Sequence, residues 1–289
     1  MTEKDTKKTY IITGATSGIG LAIMEGLAEK KHDLIGIGRS PERCKVQSER
    51  LQDLFPTNKI EYLVADLSNQ GDIRRAVSDI DRFFADWRKD GLDGLINNAG
   101  TFTYWQTLTE EGFETQWAVN HLAPFLLTNL LLPQLLKKTN ARVITVSSGS
   151  HYSARLNWAD LQGTERYNPL KAYKQSKLAN VLFTAELNRR LGPGSPVRAF
   201  AADPGLVNTG IGEKTNSWIA KKIWGRRRKK GIPATQSAAG IIHLLDENLE
   251  NQEAPYWKHG KAKKPNPFAL DGDHGWRLWE ISAQMTGVK

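Results

Sequence analysis

The sequence predicts an α/β fold: a doubly wound parallel sheet in a single domain. Three observations predict it. Short apolar runs rich in Ile and Val recur along the 289 residues, and several are apolar on both faces, as strands buried in a parallel sheet are. A turn of small residues and a stretch of helical periodicity follow nearly every run, the alternation that right-handed βαβ crossovers produce. No repeat, low-complexity tract or linker divides the chain.

The expected strands are Tyr10–Thr13, Asp33–Ile37, Ile60–Ala65, Gly94–Asn97, Ala141–Ser147 and Val197–Ala202. Between them, Leu21–Lys30 reads as the first helix, and Ser40-Pro41 supplies an N-cap and first-turn proline for the second. Ser68 precedes the amphipathic stretch Asp72–Arg88, and Thr109 precedes Glu110–Leu136. Pro169 opens Leu170–Leu191, which Gly192-Pro193 closes, and Pro233 opens Ala234–Leu249.

Composition narrows the function classes. Hydrophobic residues make up 39% and charged residues 25%, which suits a globular chain. A lone cysteine, Cys44, excludes an internal disulfide or a cysteine metal cluster, and no metal site is read. Residues 1–9 lack the apolar core of a secretory signal, and the greasiest stretch, His121–Leu136, is short and broken by prolines. A soluble, cytoplasmic protein is expected. The net charge of +9 is local: seven Lys or Arg lie between Lys221 and Lys230, and Lys258, Lys261, Lys263 and Lys264 add four. Basicity confined to two segments argues against a nucleic-acid-binding face.

The turn after the first strand reads Thr13-Gly14-Ala15-Thr16-Ser17-Gly18-Ile19-Gly20 and leads into a helix. Gly14 and Gly18 let backbone N–H groups approach a pyrophosphate, Gly20 lets the helix pack close to the strand, and the helix N-terminus supplies positive potential. A plain glycine-rich loop is the bland reading. At the end of the second strand, where an NAD site expects an acid, stands Arg39, whose guanidinium suits a 2′-phosphate. NADP(H) is therefore favoured over NAD(H).

Further motifs follow in order: Asp66-Leu67, Asn97-Asn98-Ala99-Gly100, Asn120, Ser147-Ser148, Tyr173-x-x-x-Lys177 and Pro204-Gly205. Together with the glycine turn they resemble the short-chain dehydrogenase/reductase superfamily, from Thr9 to about Thr209. The phrases Ala172–Asn180 and Gln116–Leu122, and the 25-residue spacing from Ser148 to Tyr173, are similar to its retinol-dehydrogenase-like branch. The resemblance implies a Rossmann fold, an NADP(H) cofactor, and hydride transfer to or from a carbonyl or alcohol carbon.

Residues i and i+4 share a helix face, so Tyr173 and Lys177 are expected to point together, with the ammonium lowering the phenol pKa from its usual value near ~10. A second Tyr-x-x-x-Lys, Tyr167 to Lys171, straddles Pro169 and cannot share a face; it reads as a decoy. The resemblance implies that Tyr173 transfers the proton and that Lys177 also holds the nicotinamide ribose. It gives Ser148 the substrate oxygen, and Asn120 a water linking Lys177 to solvent. Spacing alone does not separate Ser148 from Ser147, and Asn120 also reads as a buried asparagine satisfying backbone groups. By resemblance, Asp66 and Leu67 contact adenine, Asn98, Ala99 and Gly100 line the adenosine side, and Pro204, Gly205, Val207 and Thr209 belong to the segment fixing the carboxamide. Asp66 as a local helix cap is the plainer alternative. Asp203 stands where the family has His or a small residue.

Residues Ile211–Ile232 fall where the family places a substrate lid, and Trp218, Ile219, Ile223 and Trp224 lie there among lysines. Contact of 218–230 with a membrane surface and a solvated loop are both open. Trp105, Tyr152 and Trp158 flank the expected site as walls for a bulky apolar substrate. The helices Glu110–Leu136 and Leu170–Leu191 are where the family pairs subunits, so a homodimer is open. Two rivals share the layout. A light-dependent protochlorophyllide reductase needs active-site cysteines that Cys44 does not replace. A non-catalytic NADP(H) sensor usually lacks the tyrosine or lysine present here.

Overall fold

The computed structural model describes residues 7–207, 231–246 and 248–288. Eight strands form one sheet in the order β3-β2-β1-β4-β5-β6-β7-β8. They are β1 (Thr9–Thr13), β2 (Asp33–Gly38), β3 (Ile60–Val64), β4 (Gly94–Asn97), β5 (Ala141–Val146), β6 (Val197–Asp203), β7 (Tyr256–Lys258) and β8 (Lys261–Ala262). All pairs are parallel except β7 with β8. The six expected strands are present. The last two escaped the sequence reading because three-residue and two-residue strands carry no periodicity. Chain order reverses between β1 and β4, and at such a point the carboxyl ends of the strands leave a crevice.

The helices are α1 (Gly18–Glu29), α2 (Pro41–Leu54), α3 (Gln70–Trp87), α4 (Thr115–Trp117), α5 (Ala123–Leu135), α6 (Pro169–Leu191), α7 (Ala234–Ile242) and α8 (Gly272–Thr286). On one face Ile23, Met24 and Leu27 of α1 meet Ala238 and Ile241 of α7 over Ile12 and Ile144. On the other, Ile73 and Phe84 of α3, Phe125 and Leu131 of α5, and Phe183 of α6 pack on Ile11, Leu95 and Val143. No helix among the described residues is long and apolar enough to cross a membrane.

Several boundaries differ from expectation. The stretch expected as one helix from Glu110 begins only at Thr115, because Thr109 closes a turn with Phe113 and Glu114 takes the N-cap, accepting from Trp117 N–H at 2.7 Å. It then passes through a π-helical segment, Ala118–Leu122, before α5. Asn69 caps α3 in place of Ser68, and α7 ends at Ile242 with one 3-10 turn after it. The C-terminal α8 was not foreseen. Its Trp279 lies 4.9 Å from Phe125 and 5.9 Å from Phe183, ring to ring, with the Arg190 guanidinium 4.3 Å from the Trp279 ring centroid. Part of the α5–α6 surface considered for subunit pairing is thus covered by the chain's own C-terminal helix.

Val207 and Ile232 pair in an isolated parallel bridge, with Ile232 N–H donating to Leu206 O at 2.8 Å. Thr209, the basic run 221–230 and all of the expected lid before residue 231 lie outside the described residues.

Candidate active site

The turn after β1 is shaped by backbone contacts. Gly14 has φ +67°, and a Cβ there would stand 3.0 Å from the Ala99 Cα. A Cβ on Gly20 would overlap the Gly14 carbonyl and lie 2.6 Å from Asn98 Nδ2. Asn98 and Ala99 lock the turn from β4: their N–H groups donate to Thr13 Oγ1 at 3.0 and 2.9 Å, and Asn98 Nδ2 donates to Thr13 O at 2.9 Å. Ser17 is the extended N-cap of α1, yet its side chain caps no N–H. The first-turn N–H groups of Gly18, Ile19 and Gly20 therefore receive no cap from the Ser17 side chain, which leaves them to an anion. Thr16 is half-buried beside them.

Arg39 is exposed directly after β2. Asp66 Oδ1 accepts from both the N–H and hydroxyl of Ser68, at 2.9 and 2.8 Å, so it closes a local turn, and the helix cap that the plainer alternative gave it belongs to Asn69. Leu67 is half-buried against the core. One residue the sequence reading missed is Tyr62, whose hydroxyl donates to Ala15 O at 3.0 Å and braces the turn from β3. No motif signals it, since only pairing of β2 with β3 brings Tyr62 over Gly36.

Across the crevice, Asn168 caps α6 by accepting from Lys171 N–H at 3.0 Å, and Tyr173 and Lys177 follow on one face. The Ser148 side chain neighbours the Tyr173 phenol and acts to lower its pKa. Lys177 Nζ donates to Val146 O at 3.0 Å and stands 5.7 Å from the Tyr173 ring centroid. Ser147 is separated from Ser148 by its partner: its buried Oγ donates to Lys177 O at 2.7 Å and ties α6 to β5. Asn120 sits in the π-helical segment, a distortion common at functional sites. Its Oδ1 accepts from Thr101 N–H at 2.7 Å, and its Nδ2 donates to Thr101 O at 3.0 Å and Ser176 Oγ at 3.1 Å. Gly100 lies between Asn120 and Lys177, for a Cβ there would be 3.3 Å from Asn120 Oδ1 and 3.5 Å from Lys177 Nζ.

The electrostatics depart from expectation. Burial pushes the Tyr173 phenol up to about 12; the neighbouring Ser148 side chain works against that shift, and the Asp203 charge adds to it. Burial lowers Lys177 to about 8, while Asp203 acts in the opposite direction. The expected depression of Tyr173 by Lys177 is absent, because the ammonium is directed at the Val146 carbonyl and is itself desolvated.

Past β6, Gly205 has φ +79° and is packed so tightly on the His259 ring that a Cβ would overlap it; Pro204 precedes it and Val207 makes the bridge to Ile232. Tyr167 lies outside α6, as expected of the decoy. Its hydroxyl donates to Glu114 Oε1 at 2.9 Å and accepts from Gln116 Nε2 at 2.7 Å. Of the expected aromatic walls, Trp105 is 80% exposed, the Tyr152 hydroxyl donates to Lys264 O, and Trp158 packs on His274 and Arg277 of α8. Among the described residues, Phe102 is an aromatic that meets Tyr173, at 5.7 Å between ring centroids.

A family profile described as short chain dehydrogenase matches residues 8–220. Human polyprenol dehydrogenase is 37% identical over 97% of this chain and 86% of its own length. Human retinol dehydrogenase 13 is 34% identical over 98% and 85%. A crystal structure of an uncharacterised protein from Mycobacterium paratuberculosis, 32% identical, covers 97% of this chain and 93% of its own, with a TM-score of 0.75. The chain belongs to the short-chain dehydrogenase family of oxidoreductases, in its retinol-dehydrogenase-like branch.

Proposed function

We propose that this chain is an NADP(H)-dependent oxidoreductase that moves a hydride between nicotinamide and the carbonyl or alcohol carbon of a bulky apolar substrate, with Tyr173 as the acid–base group. The observation that carries this reading is that Tyr173 and Lys177 share one face of α6, with Lys177 Nζ 5.7 Å from the Tyr173 ring centroid, next to the Ser148 side chain that acts on the phenol, at the carboxyl edge of the sheet. Two polar hydroxyls there are what an oxygen gaining negative charge needs.

The residues present fit a dinucleotide. Without a Cβ at Gly14 and Gly20, and with uncapped N–H groups at Gly18, Ile19 and Gly20, the first turn suits a pyrophosphate. Arg39 offers a fork to a 2′-phosphate. Asp66, Leu67, Asn98, Ala99 and Gly100 would line the adenosine side, and Pro204, Gly205, Val207 and Thr209 the carboxamide. The bound nicotinamide supplies or accepts the hydride. Tyr173 gives its proton to the substrate oxygen in reduction and takes it back in oxidation, while Ser148 donates to the same oxygen. Lys177 holds the ribose hydroxyls, and Asn120, fixed by Thr101, orders water beside Lys177. The names of the relatives, polyprenol and retinol dehydrogenase, support an apolar alcohol or aldehyde, as does Phe102 against Tyr173.

A phenol held near 12 keeps its proton at neutral pH, which serves reduction; oxidation needs the phenolate and should climb about tenfold per pH unit below that value. Reduction should stay flat around neutrality. The test is oxidation of NADPH and NADH against retinoid, polyprenoid, steroid and quinone carbonyls, with 4-deuterated NADPH to trace the label into the product alcohol. Label transfer with preference for NADPH supports the reading. Failure of every carbonyl, with no NADPH binding, would contradict it.

A further inference from the structure

At the carboxyl end of β6 stands Asp203, only 4% exposed, where the resembled pattern has His or a small residue. Its side-chain partners among the described residues are donors. Oδ1 accepts from Gly205 N–H at 2.9 Å, Oδ2 accepts from the Tyr256 hydroxyl at 3.0 Å, and Lys258 Nζ is 3.8 Å from Oδ2. Such a set suits a carboxylate, which accepts and does not donate. The same oxygen abuts the residue after Ser148, since a Cβ on Gly149 would stand 3.2 Å from Oδ2. One buried acid thus touches the Pro204–Gly205 turn, β7 and the loop carrying Ser148.

We propose that Asp203 is a positioning residue of this reaction: its buried carboxylate pins the Pro204–Gly205 turn to β7 and against the loop carrying Ser148, and its negative charge acts on the reacting pair Tyr173 and Lys177. The inference rests on the reading of those two side chains as the reacting pair. Its charge reaches five groups from three elements: Tyr173 and Lys177 on α6, His151 and Tyr152 in the turn after β5, and Tyr256 on β7. Tyr256 and Lys258 face it from β7, and the His259 ring lies under Gly205. A negative charge disfavours a phenolate and favours an ammonium, so its removal should let both groups lose their protons at lower pH. Lys258 partly neutralises it, so removing Lys258 should act in the opposite direction.

Asp203→Asn keeps the shape and removes the charge. The readout is the titration of Lys177 by NMR of 13Cε-labelled lysine, assigned by difference with Lys177→Met. The transition, near 8 in the parent chain, should fall by roughly one pH unit in Asp203→Asn and rise by less in Lys258→Met. The pH dependence of alcohol oxidation should move in the same two directions. Because Lys258 is partly exposed, its variant decides the matter if Asp203→Asn does not fold. A Lys177 transition unmoved in folded Asp203→Asn, or lowered in Lys258→Met, would overturn the inference. The shift without any turnover would sink the oxidoreductase reading alone.

Discussion

The turn after β1 and the turn after β6 lie at the same edge of one sheet, yet they are built by opposite means. The first is shaped by what its own glycines lack: side chains at Gly14 and Gly20 would collide with Ala99 and with the turn itself. The second is held by what distant side chains supply, with Tyr256, Lys258 and His259 all arriving from more than fifty residues downstream of Asp203. A turn made by backbone geometry should respond to added volume, and a turn made by a buried charge should respond to altered charge and donors. Four substitutions break or sharpen that contrast.

The largest effect is expected from Gly20→Ala. Relief of the overlap with Gly14 requires moving α1 off the turn, and NADPH affinity should fall by ~100-fold or more, about 3 kcal/mol, in a fluorescence titration. Retained affinity would mean that the turn does not set the site. Arg39→Glu should change the NADPH-to-NADH preference by about 10- to 100-fold, the loss of a charge-assisted hydrogen bond and the gain of a repulsion. At the second turn, Tyr256→Phe leaves Asp203 short of one donor, and unfolding by urea should show a loss of about 1–3 kcal/mol. The smallest catalytic effect belongs to Tyr167→Phe. It removes the contacts with Glu114 and Gln116, costs roughly 1 kcal/mol of stability, and should leave turnover within a factor of about two. A Tyr167→Phe variant as inactive as one at Tyr173 would show that the decoy had been misjudged.

Legibility in the sequence followed the range of the interactions. The six long strands announce themselves because burial on both faces forces Ile and Val into local runs, and the glycine turn because the overlap of a Gly20 side chain with the Gly14 carbonyl acts within seven residues. Tyr173 and Lys177 were readable for the same reason, being one helical turn apart behind the Asn168 cap. What was missed depends on contacts distant in sequence. β7 is three residues long and exists by pairing with β6. α8 shows too few apolar positions to stand out until Trp279 is seen against Phe125 and Phe183. Glu114 is a local exception: it caps α4 because the turn that Thr109 closes with Phe113 delays the helix, and no apolar pattern marks that turn. The choice between Ser147 and Ser148 is decided by the Lys177 carbonyl, 30 residues away. The direction of the Lys177 ammonium, and with it the high value of Tyr173, also depends on burial that no spacing encodes.

The central claim is that the Tyr173 hydroxyl carries the proton. Its most direct test is the single-turnover oxidation of NADPH by Tyr173→Phe, with NADPH affinity measured on the same preparation. The account predicts a rate at least ~100-fold slower with affinity unchanged within about threefold. A Tyr173→Phe chain that binds NADPH and reacts within twofold of the parent, roughly experimental error, would contradict it.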